Sequence, residues 1–184
     1  MKRIPIIIIL VCILFTILGC VPSIHSFYTD KELTFDSTLL GTWVSKDGNE
    51  SYVFTRSGDQ GYSLMAYSKD SVPATFDAHL FKLENMLYID TYPEKLDIKN
   101  EFLAMHAIPA HILTRIELKG DTVEASMLSP DKIEQMKKNH KLGIKSETVK
   151  DGILLTASSK ELQDFIKKNQ NTIFENPEVL SRKK

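Results

Sequence analysis

Between Leu39 and Leu128 the chain alternates apolar and polar residues in short segments, broken by Gly, Asp and Asn. A strand turns successive side chains to opposite faces, so this rhythm calls for antiparallel strands with one apolar face each. The segments fall at about 41–46, 51–56, 61–68, 74–83, 86–92, 109–118 and 121–128. Their connections include Asp47-Gly48-Asn49, Ser57-Gly58-Asp59 and Lys119-Gly120-Asp121, residues that tolerate the left-handed backbone of tight hairpins. Faces follow from the alternation. Phe76, Ala78 and Leu80 share one side of their strand, and Thr75, Asp77 and His79 the other. In the sixth strand Ala110, Ile112, Thr114, Ile116 and Leu118 oppose His111, Leu113, Arg115 and Glu117.

Helical signals come only later. Ser129-Pro130 puts a capping hydroxyl before a first-turn proline, and Ile133 and Met136 follow at helical spacing, which predicts a short helix over 130–139. Asp151-Gly152 leads into Ile153-Leu154-Leu155, read as an eighth strand. Ser158 and Glu161 form a capping box ahead of Leu162, Phe165 and Ile166, the core face of a C-terminal helix ending near Asn169. The fold class is mainly β: an eight-stranded antiparallel meander, with a short helix before the last strand and a C-terminal helix. Closure into a barrel removes the two unpaired edges that an isolated meander would expose.

Gly41-Thr42-Trp43 at the start of the first strand resembles the G-x-W signature of lipocalins and related calycin barrels. The resemblance covers about residues 39–170 by topology and length, and no second lipocalin motif of the Thr-Asp-Tyr kind is present. It implies a tryptophan that plugs the closed end and an arginine from a late strand packed across it, for which Arg115 is the candidate. Without any family, a lone tryptophan at a strand start reads as a large core residue. Both readings bury Trp43.

At the N-terminus Lys2 and Arg3 precede an apolar run, Ile4 to Leu18, that stops at Gly19-Cys20. Spanning a bilayer takes about 20 apolar residues and a signal-peptide core about 7 to 15, so the length favours a cleaved signal over an anchor. The pattern resembles the lipobox of bacterial lipoproteins, which implies cleavage before Cys20 and acylation of its thiol. Leu18 stands where Ala or Ser is commoner. The implied protein is tethered to the membrane surface of a bacterial cell envelope. Val21, in place of a retention aspartate, points to the outer membrane if the host is Gram-negative. The organisation is then a signal peptide (1–19), a polar spacer after lipidated Cys20 (20–38) and one β-barrel domain (39–184).

Cleavage would also remove Cys12, which leaves a domain without a disulfide, a thiol nucleophile or a cysteine metal site. The formal charge is −1, and loss of Lys2 and Arg3 makes it more negative, so nothing suggests a nucleic-acid partner. His106 and His111 are five residues apart across Pro109, so they converge only if the loop folds back, and no H-x-H or H-E-x-x-H spacing is present. No G-x-S-x-G elbow is present, and Asp77, Asp90 and Glu94 read as scattered surface acids. The leading expectation is therefore a non-catalytic barrel, without cofactor or metal, that binds a small hydrophobic or amphipathic ligand. Its candidate site is Trp43 with Asp77, His79, His111 and Arg115 as polar anchors on the less apolar strand faces. An eight-stranded barrel holds one small ligand or is filled by its own side chains. A filled barrel would make the chain a noncatalytic envelope module that docks a protein partner. A metal enzyme using His106 and His111 is the third alternative.

Overall fold

The computed structural model describes residues 20–69, 71–150 and 152–183. The predicted signal segment 1–19, Asp151 of the predicted turn and Lys184 lie outside the described residues. Seven consecutive strands follow the predicted rhythm closely. They are β1 (Gly41–Ser45), β2 (Glu50–Ser57), β3 (Gly61–Ser68), β4 (Ala74–Leu83), β5 (Met86–Pro93), β6 (Ile112–Lys119) and β7 (Thr122–Met127). A four-residue helix, α1 (Glu101–Ala104), interrupts the long connection between β5 and β6. Beyond β7 come α2 (Pro130–Lys138), the hairpin β8 (Ser146–Val149) and β9 (Gly152–Leu155), α3 (Ser159–Asn169) and β10 (Glu178–Arg182).

The barrel closes in the order β1-β10-β7-β6-β5-β4-β3-β2, every pair antiparallel. The eighth wall is thus β10. Ile153–Leu155, read from the sequence as the eighth strand, belongs to β9, which pairs only with β8 in a separate two-stranded sheet. The reason lies in burial: Ile153 and Leu155 are needed outside the barrel, under the helices. β10 pairs Trp43 with Arg182 on one side and Val123 with Leu180 on the other.

Two apolar cores share one wall. Inside the barrel Trp43, Phe54, Tyr62, Leu64, Leu80, Ile89, Ile116 and Leu180 pack together. Outside, Phe81, Leu83, Tyr88 and Leu113 from the other face of β4, β5 and β6 meet Ile133 of α2, Leu155 of β9, and Leu162, Phe165 and Ile166 of α3. Each buried side chain of this size contributes about 1.5–3 kcal/mol, so the outer layer is an integral part of the fold. Its helices start as the sequence predicts. Ser129 caps α2 ahead of Pro130, and Ser158 and Glu161 close a reciprocal capping box on α3.

The stretch after Cys20, expected to be a spacer, is a strap laid along the barrel. Val21, Ser23 and Phe27 are buried. Ser23 exchanges backbone hydrogen bonds with His111, and Leu155 N–H donates to the Pro22 carbonyl at 2.9 Å. Further on, Phe27 N–H donates to Asp90 Oδ2 at 2.7 Å and Thr34 N–H to the Leu80 carbonyl at 2.9 Å. The strap therefore runs from the end of the barrel where β6 begins to the opposite end, where it turns through a 3-10 turn (Ser37–Leu39) into β1. Asp90 is its central clasp: 1% exposed, it also holds His111 Nδ1 at 2.7 Å.

Removing that clasp strands a buried N–H. Asp90→Ala is expected to lower stability by about 1.5–3 kcal/mol, read as a lower urea midpoint. The strap also gives the fold an alkaline limit. Tyr28 stacks on His79 with centroids 4.7 Å apart, and burial, then the charges of Asp90, Asp77 and Asp30, push its hydroxyl up to about 12. The folded state holds this proton more tightly than the unfolded chain. Its contribution to stability is complete below the ordinary value of 10.0 and is lost as pH rises through about 12. Tyr28→Phe should flatten the decline of thermal stability over that window.

Candidate functional site

One end of the barrel is built shut. Trp43, 0% exposed, lies across it and its indole N–H donates to the Leu39 carbonyl at 2.8 Å. The Arg182 guanidinium covers the ring at 4.2 Å, donates from Nη1 to the Leu40 carbonyl at 2.8 Å, and bonds the Thr38 carbonyl through Nη2. Gly41 makes room for it. Its φ is +116°, and a Cβ there would stand 3.0 Å from Arg182 Nη1. Beside this group the Tyr62 hydroxyl donates to the Asp36 carbonyl at 3.0 Å and accepts from the Asp36 N–H at 2.7 Å. Phe35 stacks on Tyr62, centroids 4.9 Å apart.

Above the floor is a cavity of about 450 Å³. That volume falls within the roughly 300–1,000 Å³ of small-molecule sites. Phe54, Leu64, Phe76, Ile89, Ile116 and Val123 form its apolar walls, with the hydroxyls of Thr91 and Thr114 among them. Tyr52, Glu175, Asn176 and Glu178 bring polar groups to it. The Tyr52 hydroxyl donates to Glu50 Oε2 at 2.6 Å. Burial first, then this bond, raises the Tyr52 pKa and keeps the proton on the phenol. Glu178 also titrates above the ordinary carboxylate range, because it is partly desolvated and faces the charges of Glu50 and Asp47. A second hollow of about 500 Å³, lined by Ser45, Lys46, Asp47, Glu50 and Glu178, adjoins this acidic side.

Of the residues the sequence singles out for a pocket, Trp43 lines the cavity. Asp77, His79, His111 and Arg115 do not, because the inward positions of β4 and β6 are the apolar ones, Phe76, Ala78 and Leu80, and Ile112, Thr114 and Ile116. The less apolar faces point outward, and there three of the four residues hold the outer layer. His79 stacks on Tyr28, and His111 bonds Asp90 and packs against Tyr92 at 4.5 Å. Arg115 lies 4.6 Å over Phe174 and donates to the Gln170 carbonyl at 2.9 Å, fastening the end of α3. Asp77 is exposed. The arginine across the tryptophan is thus Arg182, and Arg115 belongs to the outer layer.

The two histidines weighed as metal ligands have separate partners. His106 Nδ1 lies 2.7 Å from the Phe102 carbonyl within the β5–β6 connection, while His111 is committed to Asp90. Among the described residues no group of three or more His, Cys, Asp or Glu side chains converges to hold a metal ion.

The floor makes a direct test. Arg182→Met removes a cation–π contact and two charge-assisted hydrogen bonds, and is expected to cost about 2–4 kcal/mol in urea unfolding and to shift tryptophan emission to the red. Arg115→Met should leave that emission in place. The calycin-like form of the barrel rests on this geometry alone: no family model, no curated protein and no solved structure matches the chain.

Proposed function

We propose that this chain is a lipid-anchored, non-catalytic protein of the bacterial cell envelope whose barrel takes up a small apolar or amphipathic molecule. The observation that carries the reading is the cavity of about 450 Å³, walled by apolar side chains and floored by Trp43. A filled barrel, the alternative in which the chain serves only as a docking module, would leave no such volume between these walls.

The polar groups favour one kind of ligand head. Glu178, Glu50 and Asp47 gather on one side of the mouth with Lys46 as the cation among them. An anionic head would add to the repulsion from Glu50 and Asp47, which together with burial, the larger cause, raises the pKa of Glu178. A neutral or basic head relieves it and can donate to Glu178 or to the Tyr52–Glu50 pair. The apolar tail then lies against Phe54, Phe76 and Ile116, with Trp43 at its far end.

Trp43 is the single tryptophan, so its emission reports on the cavity floor. Titration with dodecylamine is expected to give a saturable one-to-one change, and dodecanoate a weaker one. No saturable change with either compound, or with a neutral dodecyl maltoside, would remove the pocket reading. Ala125→Phe fills the middle of the cavity and should weaken dodecylamine by at least about tenfold. Glu178→Gln should narrow the preference for amine over carboxylate by about tenfold. Because Glu178 titrates above an ordinary glutamate, amine affinity in the parent should begin to fall at a higher pH as the solution is acidified. The anchor has its own test, the intact mass of membrane-extracted protein, expected to show a chain that begins at acylated Cys20.

A further inference from the structure

Cys20 sits at the open end of the barrel. Its Sγ lies 3.9 Å from Met127 Sδ, and Met127, the last residue of β7, lines the cavity. No slack separates this position from the folded body, because Val21 is buried and Pro22 and Ser23 are hydrogen-bonded to Leu155 and His111. Anything attached to Cys20 therefore lies against the rim formed by the start of β6 and the end of β7.

The same sector of the rim is unusually apolar. The connection from β5 to β6, residues 94–111, leaves Phe102, Met105 and Ile108 exposed at 70%, 75% and 81%, together with Leu103. The segment is locally ordered: Asn100 caps α1, and the His106 ring packs on Phe102 at 4.8 Å. Its charges, Lys95 and Lys99 against Glu94, Asp97 and Glu101, nearly balance. At the closed end the hairpin tips are polar, with Gly58-Asp59-Gln60, Glu84-Asn85 and Gly120-Asp121. Soluble surfaces rarely gather apolar side chains of this size at one place unless a partner covers them. Of the acidic residues of the mouth, Asp47 in the β1–β2 turn and Glu50 at the start of β2 lie across the ring from β5, and Glu178 of β10 stands beside β7.

We infer that the β5–β7 sector of the barrel mouth is a membrane-docking surface: acyl chains on Cys20 and the side chains of Phe102, Leu103, Met105 and Ile108 enter the same leaflet, and the cavity opens at the level of the lipid. This rests on the acylation of Cys20 proposed above. The occupant is lipid because the thiol that would carry the acyl chains abuts this rim and has no length of free chain to reach elsewhere. Acyl chains and apolar loop act together, two weak anchors that hold the mouth in one orientation.

The test uses the full chain, produced in a bacterial host, extracted from its membranes and reconstituted in vesicles of phosphatidylethanolamine and phosphatidylglycerol. Met105→Cys, Ile108→Cys and, at the closed end, Asp59→Cys are each labelled with an environment-sensitive fluorophore, and lipids with nitroxide-bearing acyl chains are the quencher. Unchanged Trp43 emission checks the fold of each variant. Positions 105 and 108 are expected to shift to the blue and to be quenched several-fold, with position 59 unaffected. Acylated, vesicle-bound protein in which all three positions are equally unquenched overturns the docking surface and leaves the anchor standing. Positions 105 and 108 shielded by cross-linking to a second polypeptide overturn it in favour of a protein partner. An unacylated Cys20 by mass overturns the anchor and this inference with it.

Discussion

The arrangement depends on β10 filling the gap between β7 and β1. Without that strand both neighbours would expose a row of unpaired N–H and C=O groups, and the barrel would be an open, twisted sheet. β10 does this with little apolar surface of its own. Leu180 is its buried residue, and the flanking inward positions are Glu178 and Arg182. Backbone pairing on two sides and the Arg182 guanidinium, spread over Trp43 and two carbonyls, provide what the side chains lack. The same five residues thus complete the wall, seal the floor and place one carboxylate at the mouth.

A barrel wall with both faces buried shapes the rest. β4, β5 and β6 direct Leu80, Ile89 and Ile116 inward and Phe81, Tyr88 and Leu113 outward. The outer residues require cover, which the strap, the β8–β9 hairpin and the two longer helices supply. Polar residues interspersed on that outer face become fasteners: Asp90 for the strap, Arg115 for the end of α3. The polar groups on the cavity side, such as Thr91, Thr114 and Glu178, come from positions where the inward face departs from its apolar rule.

Much of this was legible before any coordinates. Seven strands, their hairpins and both capped helices follow from period, turn residues and caps, and the barrel from the need to close edges. Three things were not. β10 reads as a charged terminal run, because its inward residues are a glutamate, a leucine and an arginine and show no apolar alternation. The strap reads as a spacer because a serine is among its buried residues, Val21, Ser23 and Phe27, while the apolar Ile24 is exposed. The polar anchors read from the sequence fall on the outer side of the wall, since the less apolar face of a strand is the inner one only if the interior is the wetter side. Here His111 and Arg115 face a second core, and the signal that would have revealed it was Leu113 between them.

The pairing of Trp43 with Arg182 joins segments from the first and last of the described strands. Such a contact carries nearly the largest loop-closure entropy available to this chain, and every shorter hairpin is free to form before it. Ring closure must therefore wait for β10, which leaves the ribosome after every other strand described here. Until it emerges, β1 and β7 each keep one edge without a partner strand.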